Sequence, residues 1–277
     1  KVFGVPFRVV PFKSNPAAAP PPQKPRHHVF AMPGRKRLEI HNLGLAVEAL
    51  DADLVCMQEV RLFHHREARR FDRTWFGWPE GGQADFLAPE GYEVAYRTNA
   101  VTRHGEHGNA LLSRWPIGDI DHHDVSDHRF EQRGLLHVHV HWAGSMVHAI
   151  VVHFGLFHAS RVRQVERLGQ YIRRAIPAGA PLLVAGDFND WGGRLDQPMK
   201  DIGLARARTE DAPDQRRATF PALAPVFSLD RIYLRGLSCR HMQVPRGAAW
   251  ARMSDHLPLL AELELAGSAS LMAFSTP

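Results

Sequence analysis

Short apolar runs that stop on polar, chemistry-bearing residues recur along this chain. Asp53–Val60 (DLVCMQEV) closes on Gln58-Glu59, and Met146–His153 ends on His153. Pro181–Gly186 leads into Gly186-Asp187-Phe188-Asn189-Asp190, and Ser228–Leu234 carries Asp230-Arg231. Ser254-Asp255-His256-Leu257-Pro258 stands just before a last apolar run, Leu259–Leu265. Runs this short, bounded by turn residues, read as buried strands, and the loops at strand ends are where function concentrates. So many apolar strands need layered sheets to bury them.

The rest of the pattern agrees. Tyr92–Tyr96 and Asn109–Leu112 read as strands. Gly134–Trp142 alternates, with Leu136, Val138, Val140 and Trp142 on one face and His137, His139 and His141 on the other. The three histidines are therefore expected on a solvated sheet face. His122, His123 and His128 lie in a polar stretch and read as loop residues. Leu38, Leu43, Val47 and Leu50 suit one face of a helix stopping near Asp51, and Ser160–Ile176 reads as a second helix with Ser160 as its N-cap. Many strands, few long helices and hairpin-like neighbours favour an α+β fold. Residues 1–34 differ: Pro16–Pro25 (PAAAPPPQKP) cannot enter a helix interior or a central strand, and Pro11 limits Phe7–Phe12 to an edge. The tail after Gly267 is expected to fray.

Composition removes several classes. At 44% apolar and 23% charged, the chain is not disordered as a whole. No run approaches a membrane-spanning length of roughly 18 apolar residues, and no basic–apolar–small leader pattern opens the chain. Two cysteines, Cys56 and Cys239, exclude a disulfide framework and a cysteine-based zinc site, and point to a reduced, cytoplasmic setting. The net charge of +5 suits a phosphate-bearing ligand without identifying one.

The polar strand ends carry the candidate chemistry. Glu59 can ligate a hard divalent cation. His153 can hydrogen-bond a phosphate oxygen or donate a proton. Asp187 and Asn189, two positions apart, can face one site from an extended turn. Asp255 beside His256 combines a metal-binding carboxylate with a proton-handling imidazole, and Asp230 can polarise a nearby histidine. Singly, each also fits a solvated strand end, a turn or a structural histidine.

Together, Glu59, His153, Asp187-Phe188-Asn189, Asp230-Arg231 and Ser254-Asp255-His256 stand in the order and approximate spacing of the endonuclease/exonuclease/phosphatase superfamily. Gly108–Ile117 (GNALLSRWPI) resembles it too, and the resemblance runs from about Arg35 to Leu265. It implies a domain over 35–266 with a four-layer αββα sandwich, the site at one end of two sheets, and hydrolysis of P–O bonds with Mg²⁺ or Mn²⁺. By the same resemblance, Glu59 is the main metal ligand and Asp255 lies close to the metal. Asp187 orients or deprotonates water, and Asn189 holds that water or a phosphate oxygen. His256, paired to Asp230, and His153 contact the phosphate, with Asn109 and Arg133 as further candidates.

The substrate classes implied are nucleic acid, phospholipid headgroup and inositol phosphate, as diester or monoester, for a monomer with peripheral membrane contact at most. Residues 61–91 mix basic and aromatic side chains, which suits a nucleic-acid backbone, a lipid headgroup, or simply a Trp-anchored helix. The likeness breaks at the N-terminus. Lys13 stands where the family has an asparagine of the metal site, and Asn15 falls two residues late. A shifted reading frame before Arg35 would account for this, and the alternative function is an inactive binding protein on the same scaffold.

Overall fold

The apolar runs form two main sheets packed face to face in the computed structural model, which describes residues 6–7, 43–64, 82–102, 105–128, 131–211, 217–246, 250 and 254–266. In chain order the elements are β1 (Pro6–Phe7), α1 (residues 43–49), β2 (Leu54–His64), α2 (Gly82–Leu87), β3 (Glu93–Thr102), β4 (Gly105–Ser113) and β5 (Ile117–Asp124). There follow β6 (Gly134–Trp142), β7 (Ser145–His153), α3 (His158–Ala175), β8 (Leu182–Asp187), α4 (Asp196–Asp201) and β9 (Ala205–Arg206). The last three are β10 (Asp230–Arg235), β11 (Leu237–Gln243) and β12 (Leu260–Leu265). The first sheet has the order β1-β2-β4-β3 and the second β5-β6-β7-β8-β10-β9, while β11 and β12 form an antiparallel pair.

Three apolar layers hold this together. Between the sheets lie Leu54, Cys56 and Leu111 of the first against Leu136, Val138, Val140, Leu183 and Ile232 of the second, with Cys239 and Leu263 from the β11–β12 pair. Outside the second sheet, Leu135, Ile150, Val152 and Val184 pack on Val165, Leu168 and Ile172 of α3. Outside the first, Val55, Met57 and Leu112 pack on Leu43, Val47, Ala84 and Leu87 of α1 and α2. The result is an α+β, four-layer αββα arrangement.

The apolar face of β6 turns to the other sheet as its alternation requires. Much of the opposite face is covered rather than solvated. It carries Leu135 and the histidines toward α3, and His137 is 1% exposed and His148 5%. His139 is intermediate and His141 alone of the β6 histidines is exposed. Alternation within a strand identifies two faces but cannot report which neighbour covers the polar one.

Other sequence expectations are also corrected. His122 and His123 belong to β5 rather than a loop. That strand lies at the sheet edge and is mostly exposed, so it has no apolar run to betray it. The β11 strand is hidden by a bulge between Cys239 and His241 that breaks its alternation. Helix α3 begins at His158, and Ser160 does not cap it; its hydroxyl donates to Asp127 Oδ2 at 2.7 Å. Pro6–Phe7 pairs with Val55 and Leu54 at the edge of the first sheet, whereas Phe12, Lys13, Asn15, the Pro-rich stretch, residues 65–81 and the tail after Gly267 lie outside the described residues. Among the described residues no helix is long and apolar enough to cross a membrane.

Candidate active site

Strand register brings the acidic ends together. In the second sheet His153 of β7 pairs with Asp187 of β8, and Asp187 pairs in turn with Asp230 of β10. The three side chains thus stand in one row across adjacent strands. Gly186 makes this possible. It has φ +149°, and a Cβ there would lie 1.9 Å from the Val152 carbonyl oxygen of the neighbouring strand.

The first sheet contributes through a bulge. Met57 pairs with Ala110 and Val60 with Gly108, so Gln58 and Glu59 together face Asn109 alone. Glu59 has φ +54°, a left-handed conformation uncommon outside glycine, and Asn189 in the turn after β8 has φ +48°. Such bulges re-aim a side chain, and here Glu59 is turned into a cavity of about 250 Å³ that Asp187, Asn189, His153, Asp255, His256 and Arg133 also line.

Asp187 is the centre of the polar contacts. Its Oδ1 accepts the Asn189 backbone N–H at 2.8 Å, while Oδ2 lies 3.7 Å from His153 Nε2 and 4.0 Å from His256 Nε2. Those two separations are longer than hydrogen bonds. On its other side, His256 Nδ1 hydrogen-bonds Asp230 Oδ2 at 2.8 Å, which turns Nε2 into the cavity. The Asn189 side-chain amide donates to the Phe154 carbonyl at 2.8 Å, and the His256 backbone N–H donates to Ser254 Oγ at 3.0 Å.

The charges of the site are displaced from their usual values. Burial, and then the neighbouring Asp230 carboxylate, push the Asp187 carboxyl up to about 7. Burial alone would lower His256, but its hydrogen bond to Asp230, and the charges of Asp230, Asp187 and Asp255, outweigh that and raise it to about 9. His153 goes the other way: burial first, then the charges of Arg133 and His256, hold it well below the usual histidine range. At neutral pH the site therefore contains one cationic and one neutral imidazole around a buried acid.

Two expected residues do not reach the cavity. Asp230 stands behind His256. Asn109, fully buried, donates from Nδ2 to the Gly134 and Val151 carbonyls at 2.9 and 3.1 Å, and so joins the two sheets beneath the site. Arg133 does line the cavity, and its guanidinium donates to Glu131 Oε1 at 3.1 Å.

Sequence reasoning gave no role to several contributors. Gln58 lines the cavity with both side-chain polar atoms buried and lacking hydrogen-bond partners among the described residues. Asp190 and Arg231 form a buried ion pair at 2.6 Å, reinforced by Arg231 donating to the Asp190 carbonyl at 2.9 Å, which ties the turn after β8 to β10. The only signal for it was an extra acid in GDFND and an arginine in DRIY. An aromatic wall was also unread: Trp191 meets Phe220 and Phe227 edge-on, and Phe220 packs on His256.

The geometry has counterparts. Residues 33–256 match the Endonuclease/Exonuclease/phosphatase family. The uncharacterized protein YbhP of Escherichia coli K12 is 37% identical over 234 residues, covering 83% of this chain and 90% of that protein. The fold is also that of the Bacteroides thetaiotaomicron mannosyl-6-phosphatase Bt3783 (TM-score 0.60, 17% identity, 82% of this chain and 91% of that one). It is shared by D. rerio TDP2 complexed with single strand DNA product (TM-score 0.57, 16% identity, 82% and 91%). The chain belongs to the endonuclease/exonuclease/phosphatase family.

Proposed function

We propose that this protein is a divalent-metal-dependent phosphodiesterase that directs water in line at phosphorus. The observation that carries the reading is the meeting of Glu59 from one sheet with Asp187, His153 and the Asp230–His256 pair from the other in a single cavity. Two proteins of the same fold support the reaction class: TDP2, which is seen with a single strand DNA product, and Bt3783, which is named a mannosyl-6-phosphatase.

The donor set fits a hard cation. Glu59 and Asp255 supply carboxylate oxygens, and the buried, unpartnered Gln58 amide beside Glu59 offers a further oxygen. Mg²⁺ or Mn²⁺ held there would offset the negative charge that develops on the phosphate oxygens. Asp187, an acid poised near neutrality by burial, accepts the proton of the attacking water, which Asn189 helps to hold. His256, kept protonated by Asp230, donates from Nε2 to a phosphate oxygen. His153 and Arg133 donate to the remaining oxygens. Asn109 acts beneath the site by joining the sheet that carries Glu59 to the one that carries His153.

Among the substrate classes, the cavity rim favours an ester with a large apolar portion. Leu156 and Trp191 line the cavity and are exposed, exposed Phe227 packs edge-on against Trp191, and Leu223 and Val226, also exposed, lie in the loop between Phe220 and Phe227. A phospholipid at a membrane surface would meet such a rim with its acyl region and the cavity with its phosphodiester. Cys56 and Cys239 are free and buried, which suits a reducing cytoplasm.

The test is hydrolysis of phospholipid vesicles, plasmid DNA, an inositol phosphate and a small chromogenic phosphodiester, each with Mg²⁺, Mn²⁺ or chelator. Metal-dependent turnover that is fastest on vesicles, and lowered about a thousandfold in Asp187→Asn, is expected. Turnover of none of them would overturn the enzymatic reading and favour a binding protein. Faster turnover of DNA would overturn the lipid assignment alone.

A further inference from the structure

Five residues back along β7 from His153 lies a second cluster of metal-binding side chains. His137 and His139 project from the same face of β6, and His148 of β7 is the direct cross-strand partner of His139. One ligand nitrogen from each ring can be chosen so that all lie within 4.8 Å of one another. His137 Nε2 and His148 Nδ1 are 3.0 Å apart, close to the edge of a tetrahedron about a metal with Zn–N bonds of about 2.0–2.1 Å.

We propose that His137, His139 and His148 form a binding site for a Zn²⁺-class transition metal, separate from the oxygen-rich cavity. Three neutral imidazoles select borderline metals over Mg²⁺. The orientation of His137 is set from behind: its Nδ1 is 2.8 Å from the Tyr171 hydroxyl of α3, so an N–H donated there leaves Nε2 bare toward His148. In the metal-free form a single hydrogen is shared between His137 Nε2 and His148 Nδ1. When metal binds, that hydrogen moves to His148 Nε2, so both rings stay neutral, the site gains only the charge of the ion, and no proton is released.

Access is from one side. His137 and His148 are buried, while His139 is 21% exposed at its side chain and has Asp119 Oδ2 3.9 Å from Nδ1. Opposite His139 the β5 register slips between Ile117 and Ile120. Gly118 in that bulge leaves room, because a Cβ there would come within 3.3 Å of His139 Cβ. The fourth position therefore faces solvent or the Asp119 carboxylate. A metal here would pin β5, β6 and β7 to α3 through Tyr171.

The test uses the full chain, stripped with chelator and titrated with Co²⁺ and then Zn²⁺. One equivalent of Co²⁺ giving the visible bands of tetrahedral nitrogen coordination, displaced by Zn²⁺, is expected. His139→Ala should lose the bands and the Zn²⁺-induced rise in Tm, whereas His141→Ala and Glu59→Gln should keep both. Tyr171→Phe should weaken Zn²⁺ by about tenfold or more. Bands that survive in His139→Ala, or vanish in Glu59→Gln, would overturn the assignment. X-ray absorption of the Zn²⁺-loaded wild-type chain needs no variant: three histidine nitrogens at about 2.0–2.1 Å support the site, and an oxygen-only shell overturns it.

Discussion

Asp187 concentrates the conflict between stability and function at a single residue. Its carboxyl is raised from 3.8 to about 7 by burial and by Asp230. The unfolded chain therefore releases this proton at lower pH than the folded chain does. The group's contribution to stability is fully present below pH 3.8 and is lost as pH rises through about 7. Asp187→Asn should remove the penalty. In metal-free protein we expect the Tm gain of the variant over wild type to grow between pH 4 and 7, while turnover falls by about a thousandfold; parallel melting curves and initial rates check both. Asp230 acts through His256, so Asp230→Asn should lower the His256 pKa from about 9. The alkaline limb of the pH–rate profile should then move to lower pH, an effect that a purely structural role for Asp230 would not produce. That Glu59, Asp187, Asn189, Asp255 and His256 line one cavity fits their place in the sequence, where polar residues that flank apolar runs are conspicuous. Asp190 and Arg231 were less so, since an ion pair 41 residues apart along the chain leaves no local pattern.

At the scale of elements, the site depends on how β8 is gripped by its neighbours. Arg231 and Asp190 are 3% and 1% exposed at their side chains. Arg231→Leu leaves the Asp190 carboxylate buried without its cation and should cost about 3–5 kcal/mol, read from urea unfolding. Replacing both residues with apolar ones should cost less. Gly186→Ala must push β8 from β7, because its Cβ has no room beside the Val152 carbonyl. Stability and turnover should fall together in this variant, since His153 and Asp187 flank the displaced pair. The central strands were read because their apolar runs, or in β6 the clean alternation, are unbroken. β5 and β11 were not, since edge exposure and a bulge erase the periodicity that identifies a strand.

For the whole molecule, the cavity exists only while the two sheets stay packed. Glu59 belongs to the first sheet, His153 and Asp187 to the second, and His256 to the segment leading into β12. Asn109 spans the interface by donating to Gly134 and Val151 of the second sheet. Asn109→Ala leaves those buried carbonyls without that donor, at about 1–3 kcal/mol for each left unsatisfied. We expect its urea midpoint to drop, and in wild type we expect hydrolysis and tryptophan fluorescence to be lost in one transition. Hydrolysis lost well before the fluorescence change would mean that the site opens independently of the inter-sheet core.

The sequence by itself determined the strand-rich α+β class, the family and the residues that end its strands, because hydrophobic runs and their polar stops are local properties of the chain. Tertiary structure decided which of those residues meet. Register across β7, β8 and β10, a bulge in β2 and the packing of two sheets are long-range outcomes, and they set Asp187 between two imidazoles while drawing Asn109 underneath. It also decided the fate of the β6 histidines. The same alternation describes a face open to water and a face covered by a helix, and only the position of α3 distinguishes them.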